Sequence, residues 1–83
     1  MLDYRTMEPA LTLKDQRRAS RVTQRDMAER LGVSVPAVCN WEAGKAWPSI
    51  DRLPALAALL GVDMDRLVRI LIKTRGGEDH GEL

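Results

Sequence analysis

In the stretch from Val22 to Pro36 a helix start, a helix stop and a second helix start follow one another directly. Thr23 is placed as an N-cap, with Asp26 at the third helical position to close a capping box and Val22 and Met27 as the hydrophobic staple around it. Gly32 stands where a helix that turns sharply needs a residue tolerant of positive φ. Only Val33 then separates it from Ser34, the next N-cap, and Pro36 falls in a first turn, where its missing N–H breaks no intrahelical bond. The spacing predicts a helix over 24–31, with Met27, Ala28 and Leu31 facing inward, and a second over 35–43, stopped by Gly44.

Two short helices joined by a turn of about three residues containing glycine make a helix-turn-helix arrangement. The flanking text predicts more helix on either side. Thr12 with Asp15 is a start signal for a helix over 13–20. Further on, Leu53, Leu56, Ala57 and Leu60 have the spacing of a buried helical face, with Asp51 as N-cap, Pro54 at the third position and Gly61 as the stop. Asp63 caps a last helix whose expected core stripe is Met64, Leu67, Val68 and Leu71, before Gly76 and Gly77 end the ordered part. Trp41 falls on the inner face of its helix, and Trp47 either packs under the helix that follows it, the favoured reading, or stacks near a nucleic-acid backbone. The fold class is therefore all-α, a bundle of about five short helices. A loose arm is expected over 1–10, the helix-turn-helix domain over 11–75 and an acidic flexible tail over 76–83.

A chain of 83 residues is near the lower limit for one self-sufficient core. A formal charge of +1 argues at first against nucleic acid, but it is unevenly distributed. Residues 11–45 carry seven basic and four acidic side chains, while the segment after residue 75 is net acidic. One Cys39 and one His80 can form neither an intramolecular disulfide nor a tetrahedral zinc site, and no cofactor is expected. His80 lies in the acidic tail, and no phosphate-binding glycine loop or nucleophile motif is present, so enzymatic activity is not expected. The apolar runs are too short or too interrupted to span a bilayer and there is no signal-like amino terminus, so a cytoplasmic setting is expected.

The segment from Leu13 to Leu67 resembles the Cro and lambda-repressor type of helix-turn-helix domain, the xenobiotic-response-element family. The matching text is Arg17, then Thr23-Gln24 with Met27-Ala28, then Leu31-Gly32-Val33-Ser34, Val38, Trp41-Glu42, Gly44, Pro48-Ser49 and Leu60-Gly61-Val62. The resemblance implies that the second helix crosses the DNA backbone while the third enters the major groove, generally as a dimer on a two-fold operator. It also implies an interhelical ion pair between Arg17 and Glu42, both scaffold residues. A catalytic role for Glu42 is disfavoured because no second carboxylate is placed to share acid and base work.

With Ala37, Val38 and Trp41 facing inward, the third helix leaves Ser34, Val35, Pro36, Cys39 and Asn40 for the groove. Val35, Pro36, Cys39 and Asn40 are the expected base contacts, Val35, Pro36 and Asn40 at positions the family uses to read bases. Asn40 can pair with adenine, whereas Val35 and Pro36 can offer only apolar contact, most readily to thymine methyls. Gln24, Ser34, Arg25 and Lys45 are the expected backbone contacts, with Arg18 and Arg21 as weaker ones. Ile70 and Ile72 exceed what one core stripe needs, so Leu67, Ile70, Leu71 and Ile72 are the expected dimer surface. The function that follows is a dimeric, sequence-specific regulator of repressor type acting on double-stranded DNA. The alternative is an antitoxin that binds a toxin partner and its own promoter, and a fold reused for protein contacts alone is a third reading.

Overall fold

Every helix but the one over Leu53–Leu60 begins where a side chain replaces a missing backbone acceptor. In the computed structural model, which describes residues 11–76, the Asp15 N–H donates to Thr12 Oγ1 at 3.2 Å and opens α1 (Leu13–Ala19). At α2 (Gln24–Leu31) the Asp26 N–H donates to Thr23 Oγ1 at 2.9 Å and the Thr23 N–H donates back to an Asp26 carboxylate oxygen at 3.2 Å, so the capping box is closed. The Ala37 N–H donates to Ser34 Oγ at 3.2 Å to open α3 (Val35–Glu42), with Pro36 in the tolerant first turn. Gly32 ends α2 in the left-handed region at φ 70°, and the Val33 N–H reaches back to the Ala28 carbonyl at 3.0 Å. α4 (Leu53–Leu60) and α5 (Met64–Gly76) complete an all-α fold.

The core sits where all five helices converge. Leu13 of α1, Met27 of α2, Val38 of α3, Leu56 of α4 and Leu67 and Ile70 of α5 have no measurable exposure. Trp41 joins them from the inner face of α3.

Two expectations about the second half are corrected. Asp51 does not cap α4: Ile50–Arg52 form a single 3-10 turn, and α4 starts only at Leu53, with Pro54 in its first two positions. Pro54 has no N–H for the Ile50 carbonyl four residues back and its ring crowds it, so that carbonyl takes the Leu53 N–H in a tighter turn instead, as the Ser49 carbonyl takes the Arg52 N–H at 2.9 Å. The core stripe of α5 is Leu67, Ile70, Leu71 and Thr74, not the set containing Met64 and Val68. Thr74 goes inside because its hydroxyl is fully used: it accepts the Leu13 N–H at 2.7 Å and donates to the Ile70 carbonyl at 2.8 Å. That turn of the helix takes Ile70 into the core and leaves Met64, Val68 and Ile72 exposed. Gly76, the first residue of the expected tail over 76–83, is instead the last helical residue, and the expected arm over 1–10 and the rest of that tail lie outside the described residues.

Candidate nucleic-acid interface

A buried ion pair holds the helix-turn-helix unit to α1. The Arg17 guanidinium pairs with the Glu42 carboxylate at the end of α3, and the two side chains are only 9% and 6% exposed. Its remaining donor, Nη1, reaches the Val22 carbonyl at 2.9 Å, in the turn between α1 and α2. Gln24 joins the same carboxylate, donating from Nε2 to Glu42 Oε1 at 2.9 Å, while its own Oε1 accepts the Cys39 thiol at 3.6 Å. One cluster therefore ties α1, the first residue of α2 and the exposed side of α3 together.

On α3, Ser34, Pro36, Cys39 and Asn40 are exposed, whereas Val35 is half-buried and packs against the core with only part of its surface outward. Asn40 accepts through its backbone carbonyl from the N–H groups of Lys45 and Ala46, at 2.9 and 3.3 Å, which brings the exposed Lys45 beside it. Beside the start of α2 lies an open groove of about 680 Å³ lined by Arg17, Arg18, Arg21, Val22, Thr23, Gln24, Arg25 and Val35. Arg17 is committed to Glu42, so the groove takes its free positive charge from the exposed Arg18, Arg21 and Arg25. Arg21 is held at φ 60°, a region that L side chains other than Asn and Asp seldom occupy. No periodicity in the sequence marks that conformation.

The loop after α3 is pressed against the far end of α5. Gly44, at φ 77°, passes so close that a Cβ there would lie 3.1 Å from the Thr74 carbonyl oxygen and 3.2 Å from Arg75 Cα. Trp47 stays 39% exposed with the Arg75 guanidinium 5.6 Å from its ring centre, while the neighbouring Pro48 is buried. The expected dimer surface is corrected. Leu67, Ile70 and Leu71 are 0%, 0% and 2% exposed and belong to the core of their own chain, leaving Ile72 outside with Met64 and Val68.

Two carboxylates near this surface are held ionised. The Thr23 N–H, then its hydroxyl, then Arg30 lower the Asp26 pKa below the ordinary carboxylate value, and the Ser49 hydroxyl does the same first for Asp51. Among the described residues no group of three His, Cys, Asp or Glu side chains could hold a metal, and no helix is long and apolar enough to cross a membrane.

Two short helices set across one another by a glycine turn, the second with an exposed polar face beside an arginine-lined groove, define a helix-turn-helix DNA-binding domain. Residues 13–67 match the family model described as Helix-turn-helix, and the chain belongs to that family. It is 34% identical over 56 residues to the HTH-type transcriptional activator BcrR of Enterococcus faecalis, a match covering 68% of this chain and 28% of that protein. It is 33% identical over 55 residues to the cryptic phage CTXphi transcriptional repressor RstR of Vibrio cholerae, covering 66% and 49%. To the ImmF control region 10 kDa protein of Bacillus phage phi105 it is 30% identical over 69 residues, covering 81% and 77%. The matches to the activator and to RstR thus span less than half of those proteins. No solved structure matches the chain.

Proposed function

We propose that the protein is a sequence-specific transcriptional regulator of repressor type that acts as a dimer on a two-fold DNA operator in the cytoplasm. The observation that carries this reading is the exposure of Ser34, Pro36, Cys39 and Asn40 along one side of α3, directly beside the groove of Arg18, Arg21 and Arg25. A groove-reading face next to a phosphate-reading one is what a helix lying in the major groove requires. Among the relatives RstR is a repressor and BcrR an activator, and RstR supports the repressor sense.

In this reading Asn40 reads an adenine edge, Val35 and Pro36 meet thymine methyls, and Cys39 lies against the bases. Gln24, Ser34, Arg25 and Lys45 hold the backbone, joined by Arg18 and Arg21. A second copy covers the exposed stripe of Met64, Val68 and Ile72, one side chain per turn along α5. Antiparallel packing of two such helices about a two-fold axis sets Asp65 of one copy near Arg69 and Lys73 of the other, so the charges beside the stripe are complementary.

Selection of bound sequences from random duplexes tests the proposal. The expected product is a two-fold site with half-site centres about 34 Å apart, one helical turn. Enrichment of a single unrepeated half-site would overturn the dimer, and enrichment of nothing would overturn sequence reading. Copurification of an unrelated small chain would instead support the antitoxin reading.

A further inference from the structure

The Gln24 carboxamide is committed at both ends before any DNA arrives. Glu42 can only accept hydrogen bonds, so the group facing it at 2.9 Å has to be Nε2. The amide oxygen then faces Cys39, whose thiol is the donor at 3.6 Å. The choice between the two amide orientations, ambiguous for most glutamines, is thus decided by the chemistry of the neighbours. Glu42 is fixed in turn by Arg17, and Cys39 and Glu42 are three residues apart on one helix, so both contacts come from the same side of α3.

We propose that Glu42 and Cys39 are positioning residues for Gln24, clamping its carboxamide so that the one Nε2 hydrogen left over is held ready for a phosphate oxygen of duplex DNA. The proposal rests on the reading of Gln24 as a backbone contact and adds how that contact is prepared. Gln24 is the first residue of α2, where its own N–H and that of Arg25 have no carbonyl one turn back to bond. The free amide hydrogen therefore adds to donors already gathered at the positive end of a helix. Because the flexible side chain is ordered on folding, that ordering does not recur on binding. The Cys39 thiol hydrogen is spent on Gln24 in this arrangement, so a base meets Cys39 only through its apolar surface.

The test measures affinity for a random-sequence duplex at low salt, where phosphate contacts dominate, together with the side-chain amide signals of Gln24 in nitrogen–proton spectra. Cys39→Ala should weaken binding about 3-fold, the scale of one weak hydrogen bond, and Cys39→Ser should restore most of it. In a Gln24→Ala background Cys39→Ala should change nothing. The Gln24 amide signals should be displaced from free-amide positions in the unaltered protein and return toward them in Cys39→Ala and in the double variant Arg17→Met/Glu42→Met. A Cys39→Ala loss that persists in the Gln24→Ala background overturns the proposal, because Cys39 then acts on DNA directly. Free-amide signals in the unaltered protein also overturn it. Full affinity in Gln24→Ala alone overturns the underlying phosphate-contact reading, and the spectra then report separately whether the clamp exists.

Discussion

Removing one partner of the Arg17–Glu42 pair is expected to be far more damaging than removing both. Arg17→Met deletes the guanidinium contacts to Glu42 and the 2.9 Å bond to the Val22 carbonyl. It leaves a carboxylate 6% exposed with only the Gln24 amide to satisfy it. An uncompensated buried charge costs about 3–5 kcal/mol. A domain of this size is stable by about 4–12 kcal/mol in all, so the single variant should lose a large share of it. At about 4–8 °C per kcal/mol, the midpoint falls by at least about 12 °C. In Arg17→Met/Glu42→Met the charge and its counter-charge leave together, and replacing such a pair by apolar side chains ranges from neutral to stabilising by about 1–4 kcal/mol. Urea unfolding followed by the fluorescence of buried Trp41, across all four members of the cycle, gives the coupling. The Asp65–Arg69 pair is the internal control: with side chains 76% and 69% exposed, Arg69→Ala should cost under about 0.5 kcal/mol. If Arg17→Met costs no more than Arg69→Ala, or if the double variant equals the sum of the singles, the buried-charge argument is wrong.

Gly44→Ala should destabilise more than Gly32→Ala, because Gly32 faces only the left-handed backbone penalty of about 1–2 kcal/mol, whereas a Cβ at Gly44 also meets the α5 backbone at 3.1 Å; equal urea midpoints would refute the close approach. Arg21→Gly should relieve backbone strain of about 1 kcal/mol while lowering DNA affinity and reducing the salt slope by about one; a gain in stability with an unchanged slope would remove Arg21 from the phosphate contacts. Asn40→Ala should lose about 1–3 kcal/mol of discrimination at one operator base pair, whereas Lys45→Ala should weaken all duplexes alike; loss of specific and nonspecific binding in equal measure by Asn40→Ala would sink its role as a reader. Because the folded-state pKa of Asp26 lies below its unfolded value, its capping contribution is present at neutral pH and disappears as pH falls through the folded value. Carboxyl-carbon titration should show Asp26 titrating below about 3.9, the ordinary value for Asp, and Asp26→Asn should flatten the acid limb of the stability curve.

The order of elements was legible in the sequence because the signals for it are local. Thr12, Thr23 and Ser34 each satisfy an N–H three residues away, and Gly32 sets the turn by its own φ, so α1, α2 and α3 begin where those residues stand. Family membership follows from the same caps and glycines in order. Orientation about the helix axis was legible where the apolar pattern allows one inward face, as with Met27, Ala28 and Leu31 on α2 and Leu53, Leu56, Ala57 and Leu60 on α4, and it was not legible on α5. An apolar pattern on α5 permits more than one inward stripe, and Thr74, a polar residue that periodicity assigns outside, chose between them by hydrogen-bonding to Leu13 across the fold. That bond takes Leu67, Ile70 and Leu71 out of any intermolecular surface. Pro54 reshaped the start of α4, and the close pass of Gly44 over α5 fixed the loop that carries Trp47 to Arg75.

The sequence by itself determined which segments are helical, where α1, α2 and α3 begin and that two of them form a helix-turn-helix, since capping and turn chemistry act over three or four residues. Only the tertiary structure decided that Gln24 is held between Glu42 and Cys39, that Arg18, Arg21 and Arg25 line one groove, and that α5 turns Met64, Val68 and Ile72 outward. Those outcomes depend on hydrogen bonds and packing between residues far apart in the chain, which no local pattern encodes.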